Sequence, residues 1–126
     1  MRKYGLFLGI LVLLLLTPTL LLAQGTPIPI TVGGNQLGEI NATTPIAQFS
    51  FTANAGARLS IDVLSLSPEL APRFIVKDTV GAVYLSIDNA TLLANVSGEF
   101  NVPAAGAYII EVSSASGAGQ FVVSLQ

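Results

Sequence analysis

The sequence predicts an all-β protein, an antiparallel β-sandwich or jelly roll of about eight strands, preceded by an N-terminal signal-peptide helix. Three observations predict this fold class. Apolar residues recur at every second position in most segments beyond residue 46, which is the period of a half-buried strand. Gly, Pro, Asn and Asp separate these segments about every 8–12 residues. No segment beyond residue 25 combines a 3.6-residue period with helix caps, so we expect two sheets that cover each other.

The first 25 residues have the composition of a secretory signal peptide. Two basic residues precede the apolar run 6–16, and a Thr-Pro-Thr breaker and small residues follow it. We expect cleavage after Gly25 or after Ala23. The alternative is an uncleaved signal anchor over residues 4–23, which is just long enough to span a bilayer. Either way we expect residues 26–126 to form one domain outside the cytoplasm, secreted, at the cell surface or in the periplasm.

The residue inventory excludes several kinds of chemistry. The chain contains no Cys and no His, which rules out thiolate metal sites, disulfides, thiol nucleophiles and hydrolytic triads that depend on histidine. A Ser–Lys pair would need Lys77, which alternates outward on a predicted strand, and the acidic residues are scattered over strands and turns. We therefore expect no enzymatic activity.

The charge balance argues against nucleic acid as a partner. Without Arg2 and Lys3 the chain keeps three basic and seven acidic residues, a net charge of −4. A mildly acidic surface repels phosphate, and no basic stripe interrupts it.

The predicted strands begin with residues 26–32, whose two prolines indicate an extended arm or an edge strand. A Gly-Gly-Asn turn and a short strand over 36–40 follow. Residues 47–63 are predicted to form a hairpin with a Gly-containing turn. Its inward positions are Ala47, Phe49, Phe51, Leu59, Ile61 and Val63.

The second half of the domain continues the alternation. Residues 65–72 contain two prolines and are predicted to cross between the sheets, and Asp78 begins the type I turn of a strand pair over 73–88. Tyr84 is expected on the outer face, and Leu92 with Leu93 is expected to plug the end of the core. The remaining inward positions are Phe74, Val76, Val83, Leu85, Ile87, Phe100, Val102, Tyr108, Ile110, Val112, Phe121, Val123 and Leu125.

Two segments of the chain are similar to each other. Residues 51–63 match residues 100–112 at a shift of 49 positions, with an Ala/Gly turn in the middle of both. Duplication and the common pattern of strand, turn and strand both explain this, and we favour the common pattern.

Three fragments together carry a resemblance to a known family. They are FSF followed by AG and a Leu/Ile/Val strand in 49–63, FIVKDxxG with a later Asp in 74–88, and GAYIIEV closed by GQFVVSL in 106–125. The chain thereby resembles the bacterial pre-peptidase C-terminal domain over about residues 38–125. The resemblance implies a secreted β-sandwich of the kind usually appended to exported peptidases. Ala47 and Gln48 stand where the family tends to carry an acidic residue.

A calcium site is the one metal site that the sequence leaves open. Asp78, Asp88 and Asn89 lie at turns that flank one predicted strand pair, and oxygen ligands in loops suit calcium. The alternative, which we favour, is that they are ordinary turn residues. Asn41, Asn89 and Asn95 also begin N-x-S/T tripeptides, which we interpret as chance matches.

These observations favour a non-enzymatic, exported bacterial β-sandwich that acts in binding or assembly at the cell exterior. The alternative is a carbohydrate- or calcium-dependent adhesion module of the same fold. We expect no cofactor other than calcium in that alternative case. The expected partner is an extracellular protein or glycan, and membrane contact would come only from an uncleaved N-terminal segment.

Overall fold

The computed structural model describes residues 26–126, which form nine strands in two sheets and contain no helix. Sheet A has the strand order β1-β3-β8-β5-β6, and sheet B has the order β2-β9-β4-β7. All strand pairs are antiparallel except β1 with β3. The all-β sandwich prediction is confirmed, and the predicted signal peptide lies outside the described residues. The strands are β1 (Ile28–Pro29), β2 (Gly34–Ile40), β3 (Ala47–Ala53), β4 (Arg58–Ser65), β5 (Ala71–Asp78), β6 (Val83–Ile87), β7 (Asn95–Asn101), β8 (Gly106–Ser116) and β9 (Gly119–Leu125).

Alternation along the strands builds one core between the sheets. Phe49 of sheet A and Phe121 of sheet B are fully buried and meet edge to face, with ring centroids 5.9 Å apart. That geometry suits the quadrupoles of two aromatic rings. Fifteen of the predicted inward residues join this core: Phe49, Phe51, Leu59, Ile61, Val63, Phe74, Val76, Phe100, Val102, Tyr108, Ile110, Val112, Phe121, Val123 and Leu125.

The prediction that residues 47–63 form a hairpin is wrong, although both strands exist. β3 lies in sheet A and β4 in sheet B, so the turn between them crosses from one layer to the other. The two arms do not pair with each other; their apolar faces approach the core from opposite sides.

The two similar segments of the chain pair with each other across this crossing. β3 pairs with β8 and β4 with β7 in one continuous register. Gly56 N–H donates to Val102 O at 2.8 Å and Val102 N–H donates to Ala57 O at 2.9 Å, which carries the ladder around the bend. Residues 51–63 and 100–112 thus form two equivalent crossings between the same two sheets.

A β-bulge changes the alternation of β6. Val76 pairs with Leu85 but Lys77 pairs with Val83, so Tyr84 is an extra residue in the ladder. Val83, predicted inward, is consequently 54% exposed. Tyr84 is exposed as expected, but its ring lies 5.9 Å from that of the core residue Tyr108. It covers the end of the core instead of standing on the outer face.

The proline-rich first strand is an edge strand, as predicted. The backbone N–H of Ile30 faces β3, because it donates to Ser50 O at 2.8 Å. Backbone groups alternate in direction along a strand, so the nitrogens of Pro29 and Pro27 lie on the open side of β1. A proline nitrogen carries no hydrogen to donate there. Proline thus blocks strand addition at this edge of sheet A.

Candidate functional site

The outer face of sheet B carries apolar side chains in register across three strands. Leu37 of β2 pairs with Val122 of β9, and Val122 pairs with Leu64 of β4. Leu66 lies one step further on the same face, because its N–H continues the β4–β9 ladder to Gln120 O at 2.8 Å. We call Leu37, Val122, Leu64 and Leu66 the leucine patch.

The leucine patch is open to solvent to an unusual degree. Leu37 is 57% exposed, Leu64 45% and Leu66 51%. Single exposed leucines are common on protein surfaces, but neighbouring ones form a patch of the kind that marks contact sites. The cross-strand register makes these residues neighbours, since opposite side chains on one sheet face lie about 5 Å apart.

Small polar groups surround the leucine patch. The next cross-strand row holds Ser124, Asp62 and Ser97. The Arg58–Glu99 ion pair lies further along β4 at 3.4 Å, with both side chains more than 60% exposed. An ion pair that exposed stabilises the fold very little. The face therefore combines an apolar centre with a hydroxyl-rich and weakly charged rim.

The outer face of sheet A has a different character, because its charged groups bind each other. Lys77 Nζ lies 2.8 Å from Glu111 Oε2, and Gln48 Nε2 donates to the same oxygen at 2.9 Å. Partial burial acts to raise the pKa of Glu111, but the hydrogen bonds from Lys77 and Gln48 outweigh it and lower that pKa. The Glu111 carboxylate is thus held charged, with two partners on Oε2.

Two depressions lie beside this network. A cleft of about 590 Å³ runs past Lys77 and Glu111 to the loop that precedes β3, where Thr43 and Thr44 line it. Asn41 Oδ1 fixes that loop by accepting hydrogen bonds from both threonine N–H groups, at 3.0 and 2.7 Å. A smaller depression of about 290 Å³ is lined by residues that include Arg73, Asp88, Glu111 and Ser113.

The structure separates the candidate calcium ligands. Asp78 and Asp88 lie at opposite ends of the β5–β6 pair, about 16 Å apart along the strands. Asp78 Oδ1 accepts hydrogen bonds from Val80 N–H at 3.0 Å and Ala82 N–H at 2.9 Å, and Tyr84 Oη donates to its other oxygen at 3.0 Å. Within residues 26–126 no three acidic side chains come together in a metal-binding arrangement.

Desolvation acts to raise the pKa of the Asp78 carboxyl, but the hydrogen bonds it accepts outweigh this and lower the pKa. Asp88 Oδ1 lies 3.8 Å from Arg73 Nη1 and accepts the N–H of Asn89 at 2.9 Å. Asp78 thus binds backbone groups of its own turn, whereas Asp88 contacts Arg73 of β5 and the backbone of its neighbour Asn89.

Asn89 has a structural role that the sequence did not reveal. It is 2% exposed, and its amide nitrogen donates to Pro72 O at 2.9 Å and to Leu93 O at 2.7 Å. Its amide oxygen accepts the N–H of Leu93 at 2.7 Å. These bonds fasten the loop after β6 onto β5 and engage both the amide oxygen and the amide nitrogen of Asn89.

The prediction that Leu92 and Leu93 plug the core is wrong, because Asn89 holds that loop by its backbone. The side chains of Leu92 and Leu93 are 59% and 55% exposed. Leu92 also adopts a positive φ of 57°, which turns the chain within this loop.

Sequence reasoning also missed the leucine patch. The signal was present as an interruption of alternation, since Leu64 follows the inward Val63 directly and Leu66 occupies the next outward position. The core-side residues of β2 are mostly small or polar. The hydrophobic pattern of this strand therefore did not show on which face Leu37 lies.

The fold and these surfaces define a small two-sheet antiparallel β-sandwich domain. The family model described as bacterial pre-peptidase C-terminal domain matches residues 47–114. The chain belongs to this family, as the resemblance in its sequence implied. The comparison with curated proteins gave no significant match.

Solved structures agree with the family. The pre-peptidase C-terminal domain of collagenase from Bacillus anthracis superposes with a TM-score of 0.68 at 13% identity, covering 80% of this chain and 95% of that one. CorA, a surface-associated copper-binding protein important in copper acquisition by Methylomicrobium album BG8, superposes with a TM-score of 0.59 at 10% identity, covering 81% and 99%. At these identities the likeness shows the shared fold alone. Within residues 26–126 no helix has the length and apolar composition needed to cross a membrane.

Proposed function

We propose that this protein is a non-enzymatic, extracytoplasmic binding domain that docks a protein partner through the leucine patch of sheet B. The observation that carries the proposal is the cross-strand row Leu37–Val122–Leu64, which runs from the edge strand β2 across β9 to β4 and in which both leucines are exposed. Burying such apolar surface contributes roughly 25 cal/mol per Å². A partner that covers the patch gains this free energy without any reactive side chain.

The composition of the two outer faces favours sheet B over sheet A as the docking surface. On sheet A the charged groups already have polar partners: Lys77 and Gln48 bind Glu111, and Arg73 Nε donates to the Ser113 hydroxyl at 3.1 Å. A partner on that face would have to compete with these bonds. On sheet B the apolar centre gains from being covered, and the surrounding hydroxyls can still hydrogen-bond at the rim.

A protein suits this surface better than a glycan. Sugar recognition generally relies on exposed aromatic rings, and the leucine patch contains none. Tyr84 is the most exposed aromatic residue in residues 26–126, and it lies at the end of the sandwich with its hydroxyl bonded to Asp78. Aliphatic side chains on a sheet face instead pack against another apolar protein surface.

An extracytoplasmic location is supported by the signal-peptide pattern of residues 1–25 together with the family. The surface-associated CorA shows that this fold occurs outside the cytoplasm. A small domain without catalytic groups at that location would act by holding another protein at the cell exterior.

The proposal is tested by adding purified exported protein to cells that lack its gene and measuring saturable binding. Leu64→Lys places a charge in the leucine patch, and Ser86→Lys places the same charge on the outer face of sheet A, where Ser86 is exposed. We expect Leu64→Lys to weaken binding at least tenfold and Ser86→Lys to bind like the parent protein. Equal binding by the two variants, or greater loss in Ser86→Lys, would contradict the proposal.

A further inference from the structure

The two sheets protect their edges on the β1–β2 side of the sandwich unequally. Sheet A ends in the proline-bearing strand β1, which cannot accept another strand by full hydrogen bonding. Sheet B ends in β2, whose seven residues contain no proline and, among residues 26–126, pair with no strand other than β9. Beyond Gly34, whose N–H donates to Thr31 O at 2.9 Å, the other edge of β2 therefore offers backbone N–H and C=O groups at every second residue.

The sequence of β2 is complementary to itself. When two copies are placed antiparallel with Leu37 opposite Leu37, Glu39 of one copy lies opposite Asn35 of the other. Both residues stand on the outer face with Leu37. A carboxylate opposite an amide forms a hydrogen-bonded pair, whereas a carboxylate opposite a carboxylate would be destabilising.

Shifting the register by one pair in either direction removes this match. Antiparallel partners must share a face, so the neighbouring registers move each residue by two positions. One of them places Leu37 opposite Glu39, and the other places Leu37 opposite Asn35. Only the register centred on Leu37 sets an apolar side chain against an apolar one.

We propose that two copies of this chain associate through their β2 strands, antiparallel and with Leu37 on the two-fold axis, to form one eight-stranded sheet. Such an interface is isologous, since residue 35 contacts residue 39 and residue 39 contacts residue 35. It joins the two leucine patches into one continuous apolar row, Leu64–Val122–Leu37 followed by the same row reversed. The proposal does not depend on the protein partner proposed above.

The opposite edge of sheet B is less suited to this pairing. β7 and β6 are the edge strands of the two sheets on that side and lie close together, with Ile87 and Leu85 of β6 packed against Gly98 at the middle of β7. The β2 interface is also small compared with standard interfaces of about 1,600 Å². We therefore expect a dimer that dissociates in the micromolar range.

Cysteine cross-linking tests the two-fold axis, because the chain has no cysteine of its own. In the proposed dimer two Leu37→Cys residues have Cα atoms about 4.5–5.5 Å apart, within the range of a disulfide. Leu64→Cys is the matched control, since Leu64 is similarly exposed but lies two strands from the axis. We expect disulfide dimers from Leu37→Cys and monomers from Leu64→Cys. Cross-linking of Leu64→Cys, as in face-to-face stacking, or of neither variant would overturn the proposal.

Charge variants test the register by sedimentation velocity of the exported protein without any partner. Asn35→Asp sets two pairs of like charges opposite each other, and we expect about tenfold weaker dimerisation. The double variant Asn35→Asp/Glu39→Lys restores two opposite-charge pairs and should restore the dimer. Asn95→Asp adds the same charge to the far edge strand β7 and should have no effect. A monomer up to about 200 µM, equal weakening by Asn35→Asp and Asn95→Asp, or failure of the double variant would overturn the proposal.

Discussion

Replacing the buried Asn89 with Ala should destabilise the domain more than the same replacement at an exposed asparagine. The change removes the donor to Pro72 O and Leu93 O and the acceptor for Leu93 N–H, at a residue that is 2% exposed. Each hydrogen bond contributes roughly 1 kcal/mol, and buried partners left without a bond add to the loss. We expect a loss of about 3 kcal/mol in the free energy of unfolding.

Thermal unfolding followed by circular dichroism at pH 7 measures this loss. For a domain of about 100 residues, 1 kcal/mol corresponds to roughly 4–8 °C in Tm, so Asn89→Ala should lower Tm by about 12–24 °C. The control is Asn95→Ala, at an exposed position of the edge strand β7, which should change Tm by less than about 4 °C. Equal Tm values for the two variants would refute the role assigned to Asn89.

A carboxylate at the same position adds a pH signature. Asn89→Asp keeps an acceptor for Leu93 N–H but sets a buried charge against two carbonyl oxygens, which raises the pKa of the new carboxyl in the folded protein. A raised folded pKa means that protonation favours the folded state. The difference in Tm between Asn89→Asp and the parent protein should therefore shrink as the pH falls toward 5. A difference that stays constant over that range would contradict this account.

Three further predictions follow from the core and the turns. Gly38→Ala places a methyl group against the ring of the buried Phe121, 2.9 Å from Cε1 and Cε2 and nearer still to Cζ, and should cost about 1–3 kcal/mol in urea unfolding. Phe121→Leu in the same chain should recover part of this loss, and strictly additive losses would contradict the clash. The pKa values of Asp78 and Glu111 are lowered in the folded protein, so the stabilisation from both carboxylates is complete above about pH 5 and is lost as the pH falls below about 4. Asp78→Asn should therefore make the decrease of Tm at acid pH less steep. An unchanged decrease would contradict the role of the Asp78 carboxylate. Calcium at millimolar concentration should leave Tm unchanged, because the Asp78 and Asp88 carboxylates lie at opposite ends of the β5–β6 pair. A Tm that rises with calcium concentration would instead indicate a calcium site.

The inward positions were predictable because a period of two is a local property of the sequence. Phe49, Ile61 and Ile110 are fully buried as expected. The pairing of strands was harder to predict, since the sequence of the turn after β3 is compatible both with a hairpin and with a crossing between the sheets. The crossing is decided by a contact distant in sequence, the pairing of residues 56 and 57 with Val102.

The site was harder to predict than the fold for a similar reason. A bulge of one residue moved Val83 outward and turned Tyr84 onto the core, and no local signal marks that bulge. The leucine patch arises only when β2, β9 and β4 are placed side by side, which the order of strands in the sequence does not give. Asp78 was the exception, because the roles of Asp and Gly in a type I turn are local.

The most direct test of the leucine patch is site-specific photo-cross-linking in cells that export the protein. A benzophenone amino acid replaces Leu64 on sheet B or, as the control, Ser86 on sheet A, and adducts are identified by mass. The account predicts an adduct between the Leu64-substituted chain and a different protein, and none from the Ser86-substituted chain. Adducts from position 86 alone, or from neither position, would contradict it.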